Sequence, residues 1–117
     1  MNKYHAKKTV YTDPNSGEEI IFDSKGEMER YISLSNNEHV KDLQRQVSFE
    51  LLPKNDLYRA VTYKADFVYV SANTKVVEDY KGLVLPEFIL KSKLFYHKYG
   101  IPITIYPPKK PKKNSKK

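Results

Sequence analysis

The chain predicts an α/β domain with an N-terminal hairpin, an αβββαβ core and a mixed sheet flanked by helices. Apolar residues recur with a period of two in successive stretches, the mark of half-buried strands. Two further stretches carry helix start and stop signals. The 117-residue length suits one core, because two would each be marginal.

The elements follow in order. Val10-Tyr11 and Ile20-Ile21-Phe22 flank Asp13-Pro14-Asn15-Ser16-Gly17, a cluster of turn formers, and predict a hairpin over residues 9–22. Ser24 then suits a helix N-cap, with Glu27 at its third helical position and Met28, Tyr31, Ile32 and Ser35 at helical spacing. Asn36-Asn37 stops this helix, predicted over 25–36. Gln46 to Leu51 reads as a strand with Val47, Phe49 and Leu51 inward. After a turn at Pro53-Lys54-Asn55-Asp56, a second strand over 58–70 places Val61, Tyr63, Ala65, Phe67 and Tyr69 on one face. Ser71-Ala72-Asn73-Thr74 closes a hairpin onto a strand from Lys75 to Lys81. Pro86 suits a first helical turn, and the helix over 87–99 ends at Gly100. Ile101, Ile103 and Ile105 form the last strand, reached by a crossover that makes it parallel to its neighbour.

The formal charge is +7, with 21 Lys+Arg against 14 Asp+Glu. Six lysines of this excess lie in residues 107–117, a Lys/Pro-rich run with no acid, expected to be disordered. It reads either as a polyelectrolyte arm for phosphates or as a solubilising tail. Residues 1–106, the expected single domain, are nearly neutral. The absence of Cys excludes disulfide frameworks, thiolate zinc sites and cysteine nucleophiles. No apolar run reaches the length of a membrane helix and the polar start is no signal peptide, so a cytoplasmic protein without a membrane partner is expected. No Gly-rich phosphate loop or Ser/His/Asp trio appears, and no small-molecule cofactor is expected. His5, His39 and His97 lack metal-ligand spacing.

The chemistry concentrates on the 58–81 hairpin. A loop at 71–74 pairs Val70 with Lys75, and that register sets Asp66 opposite Asp79 and Lys64 opposite Lys81. Facing carboxylates repel, so the pair needs a shared divalent cation, a shared proton, or a slipped register. Lys81 lies two residues beyond Asp79 on the same face. Acid, acid and lysine make a minimal kit for metal-assisted phosphodiester hydrolysis. The bland alternative is a polar face on which Lys64 and Lys81 neutralise Asp66 and Asp79.

Asp66, followed later by Asp79-Tyr80-Lys81 on a hydrophobic strand, resembles the PD-(D/E)XK nuclease superfamily, whose restriction-endonuclease-like core has the same αβββαβ order. His5-Ala6-Lys7-Lys8, Phe22 to Glu27, Gln46 with Phe49-Glu50-Leu51, Tyr63 to Phe67 and Val77 to Gly82 resemble small phage-encoded proteins. Those proteins are described as uncharacterised and placed beside Holliday-junction resolvase-like nucleases. The resemblance covers roughly residues 3–100, and Ala65 stands where the superfamily's name has proline. It implies that Asp66, Asp79 and Glu27 hold Mg²⁺ or Mn²⁺ and that Lys81 is the catalytic lysine.

Other candidates stay divided between two roles. Glu27 is equally what a capping box requires. Gln46 touches a metal-bound water or is solvated, and solvation is favoured. Glu78 is expected at the surface or behind the site, because alternation points it away from Asp79. Lys7, Lys8, Lys91, Lys93 and Lys98, with Lys3, are phosphate contacts or a solvated face. The expectation is a divalent-metal-dependent DNA endonuclease, acting on branched or recombination-intermediate DNA by analogy, with a homodimer needed to cut both strands. The alternatives are a non-catalytic DNA-binding or assembly protein on the same fold, or an accessory protein with a protein partner.

Overall fold

A computed structural model describes residues 7–108. Lys3, His5 and the lysine tail from 109 onward lie outside the described residues. The order is β1 (Thr9–Thr12), β2 (Glu19–Phe22), α1 (Lys25–Ser35), β3 (Val40–Leu52), β4 (Val61–Ser71), β5 (Thr74–Tyr80), α2 (Pro86–Tyr99) and β6 (Ile103–Tyr106). β1 and β2 form a separate two-stranded sheet, while the other four strands form a mixed sheet in the order β3-β4-β5-β6. Among the described residues only the β5–β6 pair is parallel, with α2 making the crossover. Among the described residues, no helix is long and apolar enough to cross a membrane.

Local chemistry explains the boundaries. The Asp13 carboxylate accepts the Asn15 amide at 2.8 Å, and Gly17 closes the β1–β2 turn at φ +76°. Ser24 caps α1, its hydroxyl accepting the Glu27 amide at 3.1 Å. Pro86 stands in the first turn of α2, and Gly100 ends it at φ +78° with its amide on the Tyr96 carbonyl. The β4–β5 register is the expected one, Val70↔Lys75 and Val68↔Val77, but Ser71 also pairs with Thr74. The turn is therefore only Ala72-Asn73, both at positive φ, which matches the twist of a tight hairpin.

Two expectations are corrected. β3 begins at Val40, not Gln46, because a bulge at Asp42 (φ +56°) breaks the alternation of its first half. β4 does not keep one inward face. Tyr63, Ala65 and Val68 pack with Phe88 and Phe95 of α2, whereas Phe67 and Tyr69 pack with Leu34 of α1. The change of face falls between Ala65 and Phe67, at Asp66. Opposite it on β3, Gln46 also adopts positive φ, +54°. The sheet thus carries a core on each side, and its irregularity sits where the acids are.

Candidate active site

Asp66 lies where the β4–β5 ladder stops. Regular pairing runs from Ser71↔Thr74 to Phe67↔Glu78 and no further. Beyond that point side chains satisfy the backbone donors. The Asp66 amide donates to Asp79 Oδ1 at 3.2 Å, and the Tyr80 amide donates to Asp66 Oδ2 at 2.8 Å. Each carboxylate takes the place of a strand carbonyl, since a covered amide must find an acceptor. The Tyr63 hydroxyl adds a second donor to Asp79 Oδ1 at 3.0 Å, and Lys81 Nζ sits 2.9 Å from Asp79 Oδ2. Lys81 also lies over the Phe88 ring, 4.5 Å from its centroid, which steers the ammonium from both sides.

Glu27 comes to the same place from the first turn of α1 and is 4% exposed. Half of the expected capping box forms: Ser24 accepts the Glu27 amide, while the Glu27 carboxylate turns to the sheet and accepts the Gln46 side-chain amide at 3.4 Å. Gln46 donates at 3.3 Å to Asp66 Oδ1 as well, so one amide nitrogen spans two carboxylates. Gln46 is therefore a bridge between the acids and not a merely solvated residue. Its positive φ, invisible in the alternation of its strand, aims it there. Gly26 matters for a different reason. A β-carbon at residue 26 would run into the Tyr80 phenol, so glycine lets α1 approach the strand that carries Asp79.

Electrostatics mark the cluster as short of positive charge. Burial, then repulsion from Asp66 and Asp23, pushes Glu27 up to about 7. Burial, then repulsion from Asp79, raises Asp66 to about 6, against the pull of the Tyr80 amide and Lys81. Tyr63 is driven well above the ordinary tyrosine range by burial and by Asp79, so it remains a donor. Among the described residues, no three His, Asp or Glu side chains stand in an arrangement that holds a metal ion. Glu27, Asp66 and Asp79 are adjacent but do not form an assembled three-carboxylate ligand set; both oxygens of Asp66 and of Asp79 already have internal donors, whereas Glu27 has one, on Oε2. The donor set nevertheless fits a hard divalent cation in kind. All its acceptors are carboxylate oxygens, and two of the acids are costly to ionise without a cation.

An open cleft of about 1210 Å³ lies over these groups. Lys8 and Lys91 line it, paired with Asp23 at 2.9 Å and Glu87 at 3.3 Å. Lys25 and Lys64 also line it, which sequence reasoning did not single out as phosphate contacts. Lys7, Lys93 and Lys98 are not among its lining residues, and Lys98 pairs with Glu50 at 3.5 Å on the other strand edge. Glu78 does point away from Asp79, but it is not at the surface. It is 1% exposed and holds Arg30 of α1 through two bonds of 2.7 and 2.9 Å, with the Tyr69 hydroxyl at 2.6 Å. Burial and this bond push the Tyr69 hydroxyl up to about 12. Glu78 thus ties α1, and with it Glu27, to β5.

Residues 1–109 match the family described as proteins of unknown function DUF1064, and the chain belongs to that family. No curated protein matches it.

Proposed function

We propose that this DUF1064 protein is a divalent-metal-dependent DNA endonuclease of PD-(D/E)XK type, built on a restriction-endonuclease-like core. The observation that carries the reading is the convergence of Glu27, Asp66, Asp79 and Lys81 at the break in the β4–β5 ladder, under a cleft rimmed by lysines. Glu27, Asp66 and Asp79 would hold Mg²⁺ or Mn²⁺. Such an ion supplies charge neutralisation at a phosphate and acidifies a bound water. Lys81, held by Asp79 and the Phe88 ring, orients the attacking water and stabilises negative charge as it develops on the phosphate. The Tyr63 hydroxyl holds Asp79, and the Gln46 amide bridges Glu27 and Asp66. Lys8, Lys25, Lys64 and Lys91, which line the cleft, would contact the DNA backbone. One chain supplies one such site, so cutting both strands calls for a homodimer.

The test is cleavage of labelled duplex, single-stranded and four-way-junction DNA with Mg²⁺ or Mn²⁺, comparing wild type with Asp66→Asn and Lys81→Ala. Metal-dependent products from wild type alone support the reading. Equal residual nicking by all three proteins sinks it. A second reading, a non-catalytic DNA-binding protein on the same fold, is favoured by the internal donors on both oxygens of Asp79. It predicts DNA binding by all three proteins without products.

A further inference from the structure

The most exposed large apolar side chains of the described residues are two neighbours, Leu57 at 81% and Tyr58 at 72%. They occupy the connection between β3 and β4, and that connection is held in one shape. The Asn55 side-chain oxygen accepts the amides of both Leu57 and Tyr58 at 2.8 Å, and the Asn55 amide donates to the Tyr58 carbonyl at 2.9 Å. These bonds fix the backbone and use neither exposed side chain. Lys54 and Arg59, both exposed, bracket the pair, with Asp56 the one acid between them, so the tip has a positive balance.

The tip stands at the active-site end of the sheet. The β4–β5 register brings the start of β4 and the end of β5 to the same side. The 53–60 connection therefore leaves the sheet at the same end as the segment after β5 that carries Leu83 and Leu85 of the cleft lining, themselves 48% and 51% exposed, although residues 53–60 do not line the cleft. Val61 precedes Asp66 on β4 by a distance of roughly 16 Å at the rise of a strand.

We propose that the Leu57-Tyr58 tip is a stacking contact for an unpaired nucleobase of the DNA whose backbone the cleft lysines hold. A flat aromatic beside an aliphatic side chain, rigidly presented between two cations, suits a π-face whose flanking phosphates are negative. The inference rests on the DNA reading above, but only on its binding half.

The test is binding in EDTA, so that no cleavage intervenes, to labelled single-stranded, forked and blunt duplex DNA. The chain has no Trp, so Tyr58→Trp gives a single fluorescent reporter at the tip. Its emission is quenched by single-stranded and forked DNA and not by blunt duplex. The double variant Leu57→Ser, Tyr58→Ser, with an unchanged urea midpoint, loses affinity for the first two on the order of tenfold and for blunt duplex less than twofold. An equal loss on all three DNAs, no loss on any, or a Trp signal indifferent to bound DNA overturns the proposal. Wild type that binds no DNA defeats the DNA reading and this inference together. Wild type that binds with the stated discrimination but never cuts with Mg²⁺ defeats only the nuclease reading.

Discussion

Replacing Glu27 by glutamine probes the cluster without changing its shape. Glu27 is 4% exposed and is raised from 4.5 to about 7 in the folded protein. A folded carboxyl that holds its proton above the unfolded value binds more protons folded than unfolded between those two pH values. Stability from this group is therefore complete below about pH 4.5 and is lost as pH rises through 7. The gap corresponds to about 3 kcal/mol, with part of it shared with Asp66, which titrates in an overlapping window. The glutamine of the Glu27→Gln variant stays neutral throughout. In EDTA, urea unfolding at pH 4.5 gives near-equal stabilities, and by pH 8 the variant is more stable by up to about 3 kcal/mol. If Glu27 were instead an ordinary exposed carboxylate at a helix N-terminus, the variant would be less stable at pH 8, by about 0.3–1 kcal/mol. A difference that is flat or negative across this range refutes the reasoning.

Three further outcomes are expected. Arg30→Met strands the buried Glu78 carboxylate and costs about 3–5 kcal/mol in urea unfolding; Arg30→Met with Glu78→Leu recovers most of it, and a double variant as unstable as the single one contradicts the pairing. Gly26→Ala displaces the Tyr80 ring and destabilises by about 1–3 kcal/mol, while Tyr80→Leu in the same chain relieves it; a thermal melt unmoved by Gly26→Ala removes the close approach as an explanation. Lys81→Ala lowers metal-dependent cleavage by about 100-fold or more yet leaves DNA affinity within a few-fold, and loss confined to binding would make Lys81 a phosphate contact instead.

The parts of this fold governed by local chemistry were legible in the sequence. Ser24, Asn36, Pro86 and Gly100 marked the helix ends because caps are short-range hydrogen-bonding problems. The β4–β5 register was legible as far as Phe67↔Glu78, because pairing Val70 with Lys75 sets it whether the turn has four residues or two; the expected Asp66–Asp79 and Lys64–Lys81 pairs lie beyond the point where the regular ladder stops. What was hidden depends on the chain's departures from regularity. The positive φ at Asp42 and Gln46 leaves no trace in an alternation count, so half of β3 and the bridging role of Gln46 were missed. The direction of Glu78 was legible, but alternation gives no depth and left surface and buried placements open: its side is solvent only if no helix covers it, and α1 does. Lys25 and Lys64 gained their place from the cleft, which no single segment encodes.

The substitution of carboxylates for strand carbonyls at Asp66 and Tyr80 also changes how this part of the sheet breathes. An amide proton in a regular ladder reaches solvent when two strands part, which is a cooperative event. The Asp66 and Tyr80 amides depend instead on one carboxylate each, Asp79 and Asp66. Hydrogen exchange at these two positions therefore reports on what the carboxylates are engaged with, while the Phe67–Ser71 ladder reports on the sheet itself. A ligand that draws Asp66 and Asp79 away would speed exchange at two amides and leave their neighbours protected, an observable that needs no substrate and no turnover.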